Sequence, residues 1–180
     1  MKQSFRTIAA LSALYLLATL PQASAQSNKQ TQNKTQHMNN QAKNKEMVRH
    51  LYEDLLNTGR LDLLGEVIGD DYTGSAGEKG PQGFASTVGV VRAGFPDIKW
   101  KIEEMMAEGD KVMIRWTWDG THTADFQNIA ATGNRVHHNA IVIYEFAQGK
   151  IAKALMQSDR LGFLQQVGVV AADVGAPPKK

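Results

Sequence analysis

Arg115-Trp116-Thr117-Trp118-Asp119-Gly120-Thr121-His122, followed after a loop by Arg135 to Phe146, Lys150 to Ser158 and Asp159-Arg160-Leu161-Gly162-Phe163-Leu164-Gln165-Gln166, is the run that decides the fold. Apolar side chains alternate along its first three pieces, which is the period of a strand. Val112, Ile114, Trp116 and Trp118 share one face of the first strand, and Arg115 lies on the other. Val136, His138, Ala140, Val142, Tyr144 and Phe146 share a face of the next, opposite His137. On the last strand, Ile151, Lys153, Leu155, Gln157 and Asp159 have one parity, and Ala152, Ala154, Met156 and Ser158 the other. If Ile151 and Leu155 face inward, so does Asp159.

Working toward the N-terminus, Lys111 to Gly120 is preceded by another strand, Ile98 to Met106, with Gly109-Asp110 and Gln148-Gly149 as turns. Before Pro96 the period changes. Met47, Val48, Leu51, Tyr52, Leu55 and Leu56 recur at helical spacing and Gly59 stops them. A short helix over Leu61 to Ile68 follows. A third, Gln82 to Ala93, comes after Gly80-Pro81, with Phe84, Val88 and Val91 inward. Three helices, four antiparallel strands and a final helix from Asp159 to Gln166 make an α+β domain whose curved sheet wraps its helices.

The ends read differently. Lys2 and Arg6, the apolar run Ile8 to Leu20, Pro21 and Ala23-Ser24-Ala25 have the form of a signal peptide cleaved after Ala25, so the expected location is exported, periplasmic or secreted. Residues 26–43 are Gln, Asn, Lys, Ser and Thr with few apolar groups and are expected to be a disordered polar tether. The domain is expected over 44–168, with a flexible tail at 169–180. Without Lys2 and Arg6 the chain's 20 basic residues fall to 18, matching its 18 acidic ones. A mature charge of zero gives no ground for a nucleic-acid partner, or for a membrane partner after leader cleavage. The absence of cysteine excludes disulfides, thiol nucleophiles, Cys-ligated metals and a lipid-modified N-terminal Cys.

Phe95-Pro96-Asp97-Ile98, Ala107-Glu108-Gly109-Asp110, Arg115-Trp116-Thr117, Gly120-Thr121-His122, Gly149-Lys150-Ile151 and Asp159 to Gln166 together resemble the SnoaL-like polyketide cyclases, also called ester cyclases. The resemblance covers about residues 45 to 168. It implies a nuclear-transport-factor-2-like cone: a strongly bent antiparallel sheet and helices around one deep pocket, usually in a homodimer. It further implies an aldol-type ring closure with no metal and no cofactor, a carboxylate serving as general acid and base. Asp159 matches that acid by position. Two segments depart from the pattern. Lys153 and Leu155 stand where many members have Glu and Trp, and Gly74-Ser75 replaces an acid or His that often follows the Tyr of the Asp-Tyr segment.

Such chemistry needs a carboxyl group whose pKa an apolar wall can lift, and donors at the developing enolate oxygen. Asp159 and His138 are the candidate catalytic residues. Asp159 also reads as a plain N-cap of the last helix, and His138 as a core imidazole bonded to backbone. Trp116, Trp118, Tyr144, Gln157, Leu155, Phe84 and His122 are the candidate ligand contacts, with Phe126 and Ile129 of the 121–134 loop read either as a lid or as contacts to a second subunit. Large aromatics on a strand face also serve as ordinary core. His137 and His138 point to opposite faces, so they make no metal pair. Three function classes follow: an exported enzyme acting on a small apolar carbonyl compound, a binder of small hydrophobic molecules using the same cavity, and a dimeric interaction domain without a working site.

Overall fold

The computed structural model describes residues 21–175, with side chains from residue 31. The chain divides into two units at Met38 and Asn39, and the sheet with the helices packed on it belongs to the second. Most of the expected leader, residues 1–20, lies outside the described residues, as do residues 176–180 of the expected tail.

Helix α1, Pro21–Arg49, covers the stretch expected as a tether, with residues 31–40 exposed throughout. No Gly or Pro occurs between Pro21 and Gly59 to stop a helix. Asn44, Val48, Leu51, Tyr52, Leu55 and Leu56 are buried at helical spacing. The last of these belong to a wider π-helical turn, His50–Leu56, whose bonds skip an extra residue, Asn57 N–H to the Tyr52 carbonyl at 3.1 Å and Arg60 N–H to Leu55 at 2.9 Å.

A 3₁₀ turn, Leu61–Glu66, leads into β1, Ile68–Thr73, where the sequence periodicity had ended a helix and placed no strand. Gly69, Asp70 and Asp71 interrupt the alternation, and two exposed acids suit an edge strand, where charge discourages pairing with another chain. Helix α2, Gly80–Gly94, buries Phe84 and Val88. Then come β2 (Lys99–Glu108), β3 (Lys111–Thr121), β4 (Arg135–Ala147), β5 (Lys150–Ser158) and α3 (Arg160–Gln166). The sheet order is β1-β5-β4-β3-β2, with β1 parallel to β5 and every other pair antiparallel.

The sheet's inner face carries the side chains that the alternation in β3 and β4 indicates: Val112, Ile114, Trp116, Trp118, Val136, Ala140, Val142 and Tyr144 are all buried. In β5 the register shifts. Glu145 faces Lys153 but Phe146 faces Ile151, so Ala152 is an extra residue without a partner. One inserted residue turns every later side chain to the other face. Ile151 and Ala154 are therefore inward, and Leu155 is outward and 47% exposed.

Helices and sheet are joined by matched polar contacts. Asn57 clamps β2 from both sides, its Nδ2 donating to the Trp100 carbonyl and its Oδ1 accepting the Trp100 N–H, each at 2.8 Å. Ser75 sews the loop after β1 to the β5 edge, donating to the Ala154 carbonyl at 3.1 Å and accepting the Met156 N–H at 2.8 Å.

Candidate active site

Between the inner face of the sheet and the helices lies a cavity of about 240 Å³. That is just below the roughly 300–1,000 Å³ of pockets for drug-sized ligands, so it suits a compound of one or two rings. Its walls are mainly apolar: Leu56, Phe84, Val88, Val91, Trp100, Trp116, Trp118, Val142, Ala154 and Phe163. Exposed Ser75, Thr87, Gln127, Met156, Ser158 and Arg160 form its rim. At the floor, the buried hydroxyls of Tyr52 and Tyr144 meet at 2.7 Å. Burial pushes both phenols up from their ordinary pKa, so they remain neutral partners of each other.

His138 projects from β4 onto the cavity wall, with its ring 5.3 Å from that of Trp118, 5.9 Å from Trp116 and 5.5 Å from Phe163. It is 9% exposed, and its buried Nδ1 has no hydrogen-bond partner. The ring makes no hydrogen bond to protein, which sets aside the backbone-bonded core imidazole. Burial lowers its pKa. The negative charge of Asp159 works against that, and Arg160 and His137 add to it. The imidazole is thus neutral at physiological pH, with one N–H to donate and one lone pair to offer. Trp116 Nε1 is likewise buried without a well-formed hydrogen bond, although it stands close enough to Tyr52 to stabilise that hydroxyl's charged form.

Asp159 is placed otherwise than strand parity suggests. The bulge at Ala152 brings Ser158 to the cavity and leaves Asp159 off its wall. Its Oδ1 accepts the Gly162 N–H at 2.8 Å and so caps α3. A Cβ at Gly162 would lie 2.2 Å from the carboxylate, so only glycine admits the cap in this form. Asp159 reaches the cavity only through its field on His138.

Trp116, Trp118, Tyr144 and Phe84 line the cavity beside His138. Leu155 and Gln157 do not. The same bulge turns them to the outer face, where they border a shallow groove with Ile141 and Ile143. His122 is also away from the mouth: it is fully buried, stacked on Phe95 at 5.1 Å, and its Nδ1 meets Thr132 Oγ1 at 3.1 Å. Its backbone N–H donates to the Asn134 carbonyl and its carbonyl accepts the Gly133 N–H, each at 2.9 Å, which extends the β3–β4 pairing past Thr121 and anchors the loop's base.

That loop ends in a tight turn, with Phe126 and Ile129 exchanging two hydrogen bonds of 2.9 Å and Gln127 and Asn128 at positive φ. Phe126 is buried in the cavity wall, Ile129 is half-buried behind it, and Gln127 accepts from Arg160 across the rim. Arg115 lies on the outer face, paired to Glu104 at 3.2 Å. Among the described residues, no group of three His, Asp or Glu side chains could hold a metal, and no helix is long and apolar enough to cross a membrane.

Sequence reasoning missed Tyr52, Tyr72, Ser75 and Glu78, all of which line the cavity. Tyr52 carried a helical signal, but its pairing with Tyr144 spans 92 residues and has no local signature. The other three belong to the unrecognised β1 and the turn after it.

Three solved structures share this architecture. TsrD from Streptomyces laurentii aligns with a TM-score of 0.63 at 23% identity, over 84% of this chain and 99% of its own. IdmH from Streptomyces antibioticus aligns at 0.62 and 25% identity, over 70% and 99% respectively. A SnoaL-like polyketide cyclase from Agrobacterium tumefaciens aligns at 0.59 and 26% identity, over 65% and 92%. None of the curated proteins matches this chain. The family model for the SnoaL-like polyketide cyclases matches residues 46–167, the helices, the bent sheet and the cavity just described, and the chain belongs to that family.

Proposed function

We propose that this chain binds a small apolar carbonyl compound in its cavity and carries out cofactor-independent proton-transfer chemistry on it, of the aldol ring-closing type or a close relative. The observation that supports this reading is His138: a neutral imidazole with no protein hydrogen bond on the wall of an otherwise apolar cavity. His138 Nδ1 is sealed within the protein, so Nε2, which makes no hydrogen bond to protein, is the nitrogen left to meet a ligand oxygen. Donation from the imidazole to a carbonyl oxygen strengthens as that oxygen gains enolate charge, so the interaction favours the transition state over the ground state. The Asp159 charge offsets part of the burial that lowers the His138 pKa.

A binder without turnover is the second reading, favoured by the mainly aromatic wall. His138→Leu separates the two. Enzyme action predicts lost turnover with the ligand still held, and a pure binder predicts only a change in affinity. Dimer formation through the outer sheet face is supported by exposed Ile141 and Leu155 there. Work outside the cytoplasm is supported by the basic start, apolar run and Ala-Ser-Ala of residues 1–25.

A further inference from the structure

The chemistry proposed above needs a base for the proton next to the carbonyl, and Asp159 is not on the cavity wall. Of the residues that line the cavity, one carries a carboxylate: Glu78. We propose that Glu78 is that general base, an inference that rests on the proton-transfer reading.

The loop after β1 holds Glu78 in place. Gly74 N–H donates to the Glu78 carbonyl at 2.9 Å and Gly77 N–H to the Gly74 carbonyl at 3.1 Å, closing a tight turn. Ser75 within that turn is bound to β5 through both its donor and its acceptor. The Glu78 side chain folds back over Gly74. A Cβ on Gly74 would stand 2.2 Å from Glu78 Cδ and 2.5 Å from Oε1, so the glycine vacates the space that the carboxylate fills. Oε2 accepts the Ala76 N–H at 2.9 Å, while Oε1 has no partner among the described residues. One oxygen is fixed and the other is free. Tyr72 lies near enough for the Glu78 charge to help raise its phenol's pKa, so the carboxylate and a neutral phenol share this end of the cavity.

The step balances without a co-reactant. A Glu78 oxygen takes the proton from the carbon beside the carbonyl, and the C–H electron pair becomes the enolate. His138 donates a hydrogen bond to the enolate oxygen. The carbon then either takes a hydron back from Glu78 after that carboxyl has exchanged with solvent, giving isotope exchange, or adds to a second carbonyl of the same molecule, with the Glu78 proton passing to the alkoxide formed. The net change is an isomerisation.

The test follows 1-tetralone, a bicyclic ketone, in D₂O. Proton NMR reads deuterium entry beside the carbonyl, and tryptophan fluorescence reads binding near Trp116 and Trp118. The wild-type chain should accelerate exchange over buffer, and Glu78→Gln should lower that acceleration about 100-fold or more with binding retained. Gly74→Ala should lose exchange as well, because its methyl displaces the carboxylate while the turn keeps its fold by circular dichroism. Glu104→Gln, on the outer face, should exchange like the wild type. Full exchange by Glu78→Gln overturns the assignment and leaves the function reading intact. Loss of binding together with exchange in that variant makes Glu78 a ligand contact and overturns its role as base. A wild-type chain that fails to bind 1-tetralone, or binds it without exchange, overturns the function reading and this inference with it.

Discussion

The hydroxyls of Tyr52, from the π-helical turn, and Tyr144, from β4, meet at 2.7 Å beneath the cavity and are buried together. Each is the other's polar partner, and the pair ties the first helical segment to the middle of the sheet. Removing one hydroxyl strands the other in an apolar site. Tyr52→Phe or Tyr144→Phe alone should each cost about 1–3 kcal/mol, whereas the double variant should be close to wild type. A double-mutant cycle from urea melts measures that non-additivity directly.

The pH dependence of stability should carry two histidines of opposite sign. His138 has its folded pKa depressed below the ordinary 6.5 by burial. Its contribution is therefore present above pH 6.5 and is lost as pH falls through its folded pKa, where the unfolded chain binds the extra proton. His50 has its pKa raised above 6.5, first by its hydrogen bond to Asp54 at 2.7 Å, with Glu66 helping. Its contribution is present below pH 6.5 and is lost as pH rises through the raised value. Urea midpoints across this range should show His138→Gln flattening the acidic side and His50→Gln flattening the side above 6.5.

Asp159 has a capping role that is separable from its charge. Asp159→Ala should cost about 1 kcal/mol and loosen α3, whereas Asp159→Asn keeps a side-chain oxygen for the Gly162 N–H and should cost a few tenths. Both variants remove the charge that raises His138's pKa, so NMR titration should find that pKa lower still in each.

If the outer sheet face joins two copies, a charge placed there should separate them. Leu155→Glu puts a carboxylate beside Ile141 and Ile143 and should shift sedimentation from dimer to monomer without changing the circular dichroism spectrum. A wild-type chain that sediments as a monomer contradicts the dimer.

Much of this architecture was legible in the sequence. The alternation in Lys111–Thr121 and Arg135–Ala147 is uninterrupted, and it assigned His138, Trp116, Trp118 and Tyr144 to the inner face where they lie. In β5 a single residue hid the true faces. Ala152 has no local mark as a bulge, because the misfit arises from pairing with β4, and it inverted the faces assigned to Leu155, Gln157 and Asp159. The edge strand β1 was hidden by Gly69, Asp70 and Asp71, whose polarity suits the edge rather than a two-sided core strand. With β1 went the turn that carries Glu78, a carboxylate brought to the cavity by a long-range seam between Ser75 and β5.

The proposed chemistry requires His138 to meet the oxygen of a small apolar carbonyl compound. The most direct test is a nitrogen–proton correlation spectrum of histidine-labelled protein titrated with 1-tetralone. On saturation the ring nitrogens of His138 should shift while those of His37, His50, His122 and His137 stay in place. Saturation without movement of the His138 nitrogens would contradict it.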